Sequence, residues 1–292
     1  MILYGTVCRF GVVMVKFIVD STFGITREYA SANDIKVVSL TLIVNDKESD
    51  EGYPDEWVKV YEEYAHSKVA AKTSQPSPKK FQDAIDEIFS CDENSEIIIM
   101  TIADRLSGTI GSANIAVGQY PDKKITAINT GVAGTSGLMY LREMVDANNN
   151  GASYEELIEL SKDLTERIAM QFIPASLTEL ARGGRVNKLL SRVGNILKIK
   201  PVFEFAKNEL SVYAKVLGLN RAIDAAIAHM PKKYDRILIY YIGDDSNIAL
   251  LQARLEQKLG LKDLEVQPMC PVGGIHIGIG TVGIVTLASK EL

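Results

Sequence analysis

The sequence predicts an α/β protein built as two α/β domains: an N-terminal doubly wound, mainly parallel sheet and a C-terminal mixed α/β unit, with a ligand cleft between them. Three observations lead there. Strand-length apolar runs alternate with helical patterns up to about residue 150, the signature of βαβ units. Beyond Asn148-Asn149-Asn150-Gly151 the texture changes to paired strands and interleaved helices. Short loops rich in Gly, Ser and Thr recur at the ends of elements in both parts, the usual address of ligand-binding loops. The domains that follow are 14–150 and 151–292, and 292 residues suffice to bury a sizeable core.

Each element has its own reason. Lys16 to Asp20 reads as the first strand, its buried Phe17-Ile18-Val19 run ending in polar Asp20-Ser21-Thr22. Val37 to Val44 is apolar and alternating, hence a second strand. Asp55 to His66 predicts a helix. After a loop at Thr73, Pro76 and Pro78 punctuate the start of another helix, from Pro78 to about Phe89. Glu96 to Thr101 is a continuous apolar run, expected where both faces of a strand are covered. The Ser107 loop then opens a helix to about Val117, followed by a strand from Lys124 to Ile128 and a helix from Thr135 to Ala147.

In the second part, a helix from about Tyr154 to Ile168 leads to a strand near Met170 to Ile173. A short helix ending at Gly183 and one near Asn187 to Val193 come next. Ile199 to Phe205 and Glu209 to Lys215 form a strand pair turning through Lys207-Asn208. Arg221 to His229 and Ile248 to Leu259 are helical, separated by a strand from Arg236 to Tyr241, and Val282 to Leu287 closes the fold.

Bulk properties exclude several classes. Apolar content of 47% and charged content of 24% are ordinary for a globular protein. A net charge of -5 argues against a sequence-independent nucleic-acid binder, which needs a basic face. Cys8, Cys91 and Cys270 are odd in number and lack a Cys-x-x-Cys pair, so a disulfide framework is not expected and a reducing compartment is. His66, His229 and His276 lie at no ligand spacing, so no structural zinc is expected. Residues 1–13 are apolar but lack a charged n-region and are too short to span a bilayer. They read as an upstream extension, with Met14 starting the core fold and the cytoplasm as the expected location.

The motifs point to binding before bond-breaking. Ser107, after a buried strand and before a helix, reads either as an N-cap or as an anion donor at a helix start. Thr73-Ser74 forms a second hydroxyl cluster at a comparable junction. Gly183 is a natural helix C-cap, and Gly184-Arg185 adds a guanidinium that either pairs with an anion or sits at a helix end. His276 lies in what reads as a loop with five glycines between positions 273 and 283, so small neighbours leave its ring and backbone room to meet a ligand. Gly278-Ile279-Gly280-Thr281-Val282-Gly283 satisfies G-x-G-x-x-G but is followed by a β-branched strand, which rules out a dinucleotide fingerprint. Nucleophilic catalysis by Ser107 with His276 as base lacks G-x-S-x-G and any visible orienting acid. A phospho-ligand held by Arg185 is a third reading.

The ordered set Asp20-Ser21-Thr22, Thr73-Ser74-Gln75-Pro76-Ser77-Pro78, Leu106-Ser107-Gly108-Thr109, Gly183-Gly184-Arg185, Lys200-Pro201 and Gly274-Ile275-His276-Ile277-Gly278 resembles the DegV family from about residue 16 to the C-terminus. The resemblance implies a two-domain α/β protein holding a long-chain fatty acid such as palmitate between its domains, with no cofactor and no catalysis of its own. It also implies that some members are acyl-carrier subunits of a fatty acid kinase, presenting the carboxylate to a separate ATP-using subunit, with transient membrane contact for lipid exchange. Position by position, it places Thr73, Ser74 and Ser107 on the carboxylate, His276 nearby within the Gly274-Ile275 stretch, and Arg185 at the site edge. The chain departs from the family pattern at Asn129-Thr130, where Asp-Ser is frequent, at Gly278-Ile279-Gly280, where Gly-Pro-Gly is common, and at Lys215-Val216-Leu217, which lacks an Arg.

Overall fold

The computed structural model describes residues 14–67, 71–182 and 199–290. Its first sheet is fully parallel, with β1 (Lys16–Asp20) beside β2 (Lys36–Val38) on one side and β6 (Ile97–Thr101) and then β7 (Ile125–Asn129) on the other. All five residues of β6 are buried. Ile97 and Ile99 pack with Phe81 and Ile85 of α3 (Pro78–Cys91) and with Ala113 and Ala116 of α4 (Thr109–Val117). Ile98 and Met100 face the opposite layer, where α5 (Thr135–Asn149) supplies Tyr140, Leu141 and Met144. The continuous apolar run thus has the cause expected of it: both faces are covered.

The second large sheet has six strands, in the order β10 (Glu209–Leu217), β9 (Ile199–Ala206), β8 (Ile168–Ile173), β13 (Val282–Ala288), β11 (Tyr234–Tyr241) and β12 (Val266–Pro268). Only the β11–β12 pair is parallel among the described strands of this sheet. One face packs on α5 and α6 (Tyr154–Arg167) through Met170, Phe172, Phe205, Leu238 and Val285. The other is covered by α8 (Leu219–His229) and α9 (Ile248–Leu259) over Val202, Ile239 and Ile284. Helices α5 and α6 therefore form a layer common to both sheets, tied together by the Tyr140 hydroxyl, which donates to the Ser161 carbonyl at 2.9 Å. The largest apolar cluster draws on residues from both sides of position 150. Ser153 and Glu156 start α6 with a reciprocal capping box.

Three sequence expectations are corrected. Val37 to Val44 is not one strand: it breaks at Ser39-Leu40 into β2 and β3 (Thr41–Val44). At the break, the Leu40 amide donates to Ser21 Oγ, while the Glu51 amide is shared between Ser39 Oγ and the Leu40 carbonyl. β3 then belongs to a third sheet, flanked by β4 (Lys47–Asp50) and β5 (Lys72–Ser74), so the Thr73 loop is in fact an edge strand. The β3–β4 turn places Asn45 and Asp46 at positive φ, the backbone that a two-residue hairpin demands. The glycine-rich stretch before Gly278 is also not a loop. It is a short helix, α10 (Pro271–Ile277), with Pro271 in its first turn and Cys270 as N-cap. Helix α7 (Leu177–Arg182) falls within the short helix expected before Gly183, whereas Gly183, Gly184, Arg185 and the helix expected near Asn187 to Val193 lie outside the described residues.

The Lys207-Asn208 turn joins β9 and β10 as the sequence suggested, both residues at positive φ. Its tip reaches the first sheet: the Asn208 amide donates to the Gly131 carbonyl at 3.2 Å, and Asn208 Nδ2 to Asp104 Oδ1 at 2.7 Å. Among the described residues, no helix is long and apolar enough to cross a membrane.

Gly283 in β13 has no room for a side chain. A Cβ there would lie 2.2 Å from the Gln171 carbonyl oxygen and 2.4 Å from Tyr240 Cζ, in a space where the Tyr240 hydroxyl reaches across to that same carbonyl. Gly283→Ala is expected to cost about 1–3 kcal/mol or more of unfolding free energy through overpacking. Urea denaturation measures it, and an unchanged midpoint would contradict the packing described.

Candidate functional site

A cavity of about 440 Å³ lies where the loops of the parallel sheet, the small sheet, α10 and the α5/α6-facing side of the C-terminal sheet meet. That volume falls within the roughly 300–1,000 Å³ of small-molecule sites. Its polar lining comes from Thr73, Ser74, Gln75, Ser107, Gly108 and His276. Its apolar lining includes Met170 and Phe172 of β8, Phe205 of β9 and Leu210 of β10, with Leu106, Met269 and Ile277. The floor behind is stiff, for Phe172 stacks on Phe203 with centroids 4.9 Å apart and planes 7° from parallel.

The polar groups are brought together by identifiable contacts. Thr73, on edge strand β5 opposite Leu42, places Oγ1 2.8 Å from Nε2 of His276. Ser107 is not the N-cap of α4; that position is Gly108, with no side-chain cap, and the Ser107 hydroxyl instead lies 2.8 Å from Thr109 Oγ1. The capping alternative is thereby removed, and the start of α4 carries only backbone and hydroxyl groups where it meets the cavity, a favourable setting for an anion. Gln75 closes over position 108: a Cβ there would sit 2.1 Å from the Gln75 amide oxygen, while Gln75 Nε2 donates to Ser112 Oγ at 2.9 Å. This carboxamide therefore lies across the Ser107 loop.

Of the residues singled out from sequence, Thr73, Ser74, Ser107 and His276 line the cavity together. Gly274 and Ile275 are not among the residues lining it. Gly274 is where α10 meets α2 (Trp57–His66), with a Cβ position 2.0 Å from the Tyr61 hydroxyl oxygen, and Ile275 is buried with Leu40, Leu42 and Val272. Once the segment is a helix, these two residues form its packing side. Arg185 lies outside the described residues. Sequence reasoning missed Gln75, Gly108 and Gly134 as lining residues, although the first two sit inside motifs it had marked. It also missed the apolar wall, whose one signal was the period-two spacing of Met170 and Phe172.

Two buried carboxyls stand behind the polar lining. Asp20 accepts from the Thr22 amide at 3.0 Å and from the amide of Ile102, a cavity residue, at 2.7 Å. Burial pushes its pKa up to about 6. Glu51, 1% exposed, accepts from Ser21 Oγ at 2.5 Å and from the amide of Val272, another cavity residue, at 2.6 Å. Burial pushes it up to about 7, and the nearby Asp20 charge adds to the effect. Cys270 is buried beside Glu51, its thiol held well above the ordinary range by burial and then by that carboxyl.

Comparison with known proteins agrees with the geometry. Residues 14–289 match the family model described as an uncharacterised protein of the DegV family. The chain is 31% identical over 228 residues to the DegV domain-containing protein YteA of Lactococcus lactis, covering 75% of this chain and 78% of that protein. It is 30% identical over 286 residues to a protein of Thermotoga maritima named as a fatty acid-binding protein, covering 92% of this chain and 96% of the relative. A crystal structure of a DegV lipid-binding protein from Thermotoga maritima superposes with a TM-score of 0.83 at 26% identity, over 95% of this chain and 99% of that one.

The two carboxyls give stability a definite pH dependence. A raised folded pKa means that the folded state binds more protons, so the contribution is fully present below the unfolded values near 4 and is lost as pH rises through about 6 and about 7. Carboxylates held low, such as Glu156 and Asp235, act below this window. Unfolding free energy from denaturant titration is therefore expected to fall between pH 5 and pH 8, with a shallower fall in Glu51→Gln. A free energy rising across that range would contradict the assignment.

Proposed function

We propose that this chain, which belongs to the DegV family, binds a long-chain fatty acid with its carboxylate at Thr73, Ser107 and His276 and its tail along Met170, Phe172, Phe205 and Leu210. The observation that carries the reading is a cavity whose hydroxyls, carboxamide and imidazole come from Thr73, Ser74, Gln75, Ser107 and His276 while most of its other lining side chains are apolar. Such a surface matches a molecule with a charged head and a hydrocarbon tail. About 15 buried carbons at ~0.8 kcal/mol each supply on the order of 12 kcal/mol gross. Each hydrogen bond to the head contributes about 1.5–3 kcal/mol before desolvation. The tail sets affinity; the hydroxyls set orientation.

The family resemblance supports a finer reading, in which the chain works in the cytoplasm as a carrier with no catalysis of its own. It presents the carboxylate to a separate kinase subunit: a carboxylate oxygen attacks the γ-phosphorus of ATP, ADP leaves, and an acyl phosphate results. Loading and release then take place in brief contact with a membrane. A hydrolase or transferase using Ser107 and His276 would need those two groups joined. Ser107 meets the Thr109 hydroxyl and His276 Nε2 meets the Thr73 hydroxyl, an array of hydroxyls and an imidazole suited to holding a head group.

Denaturing the purified protein, extracting it with organic solvent and analysing the extract by mass spectrometry is expected to yield a near-stoichiometric long-chain fatty acid. An empty extract, with no uptake of added palmitate or oleate, would overturn the reading. In Ser107→Ala the lipid should still co-purify, because one head-group hydrogen bond is small against the tail. Acyl-phosphate formation with a competent kinase subunit should fall about tenfold or more; an unchanged rate would remove Ser107 from the head-group site.

A further inference from the structure

We propose that Glu51 is a positioning residue of the head-group site: its buried carboxyl grips the first turn of α10 and thereby sets His276 against Thr73. The assignment rests on the reading that the polar part of the cavity holds a carboxylate, and it adds a residue that no motif contains.

The geometry is a two-point clamp. The small sheet consists of β3 flanked by β4 and β5, and Thr41 of β3 is in register with both Asp50 and Ser74. Glu51 follows Asp50 directly, and Thr73 precedes Ser74, so both project from one small platform. From one edge, Glu51 Oε1 accepts the Val272 amide at 2.6 Å. From the other, Thr73 Oγ1 meets His276 Nε2 at 2.8 Å. Val272 and His276 are four residues apart, one turn of helix, and both line the cavity. Helix α10 has only seven residues, and Cys270 gives it no side-chain cap. Its first turn thus takes from Glu51 the acceptor that a cap would otherwise supply. The other Glu51 oxygen accepts from Ser21 Oγ, whose own oxygen accepts the Leu40 amide. The clamp is thereby fixed to the end of β1 as well.

The surroundings of Glu51 keep this grip neutral. Facing it are the carboxyl of Asp20 at the end of β1, the thiol of Cys270 before α10 and the phenol of Tyr61 on α2, itself donating to the Met269 carbonyl at 2.8 Å. None of these is a cation. Burial and the Asp20 charge push the Glu51 carboxyl up to about 7, so below that pH it holds α10 without adding negative charge behind a bound carboxylate. Above it, an ionised Glu51 stands one residue behind the wall and repels the head group. Palmitate affinity should therefore fall as pH rises through about 7.

The chain contains only three histidines, so selective ¹⁵N labelling of their rings resolves His276, with His66 and His229 as internal controls. In the delipidated protein, Glu51→Ala is expected to shift the His276 ring signals and leave the other two in place. It should weaken palmitate binding about tenfold, the loss due to one misplaced hydrogen bond to a charged head. Glu51→Gln keeps an acceptor for Val272, so it should retain the wild-type His276 signals while flattening the pH dependence of palmitate affinity between pH 6 and pH 8. Unmoved His276 signals in Glu51→Ala, or a Glu51→Gln profile that follows the wild type, would overturn the proposal. Should Glu51→Ala not fold, the Glu51→Gln profile decides alone. A wild-type protein that takes up no fatty acid would sink the carboxylate reading, and the His276 signals would still decide the role of Glu51.

Discussion

The hydrogen bond between Thr73 and His276 joins residues 203 positions apart, and much of the architecture serves to make that meeting possible. Thr73 needs a strand whose register turns its side chain toward α10. His276 needs a helix held firmly enough that its ring meets Thr73. The small sheet supplies the first; α10, seated on Tyr61 and among Leu40 and Leu42, supplies the second. Behind them, Asp20 and Glu51 take up the amides of Ile102 and Val272. Polar groups buried near a cavity with an apolar wall must find partners or exact a free-energy cost, and here the partners are the backbone segments that carry the site.

The site divides two tasks between two kinds of surface. The C-terminal sheet offers its inner face, a rigid apolar wall stiffened by the Phe172–Phe203 stack. The N-terminal half and α10 offer hydroxyls, an imidazole and a carboxamide. A ligand that meets only one surface leaves the other exposed to water, which is why the proposed ligand is a long hydrocarbon with a single polar end. The layer shared by α5 and α6 keeps the two surfaces in register, and the Asn208 tip docks on Gly131 and Asp104 beside the Ser107 loop.

Much of this was legible in the sequence where local pattern and tertiary setting agree. The Glu96 to Thr101 run announced a strand covered on both faces, the helical pattern from about Tyr154 announced α6, and Lys207-Asn208 announced a hairpin. Hydroxyl clusters at Thr73 and Ser107 announced the polar lining, because Ser and Thr at element ends beside proline or glycine are a local signal. What stayed hidden depends on contacts distant in sequence. The break at Ser39-Leu40 is enforced by Ser21, which periodicity does not see. Gly273 and Gly274 disguised α10 as a loop, since glycine disfavours helix on its own; Pro271 and the close approach of Tyr61 override that preference. Glu51 looks like one more acid in an acidic, polar stretch, and only the fold shows that it is buried under the helix bearing His276.

The central claim is a polarity: head at Thr73, Ser107 and His276, tail on the β8–β10 wall. A crystal structure of the protein loaded with palmitate carrying bromine on its terminal carbon tests it most directly. The account predicts carboxylate oxygens within hydrogen-bond distance of Thr73 and Ser107, and an anomalous bromine peak among the apolar residues of the C-terminal sheet. A bromine peak beside His276, or a lipid seated outside this cavity, would contradict it.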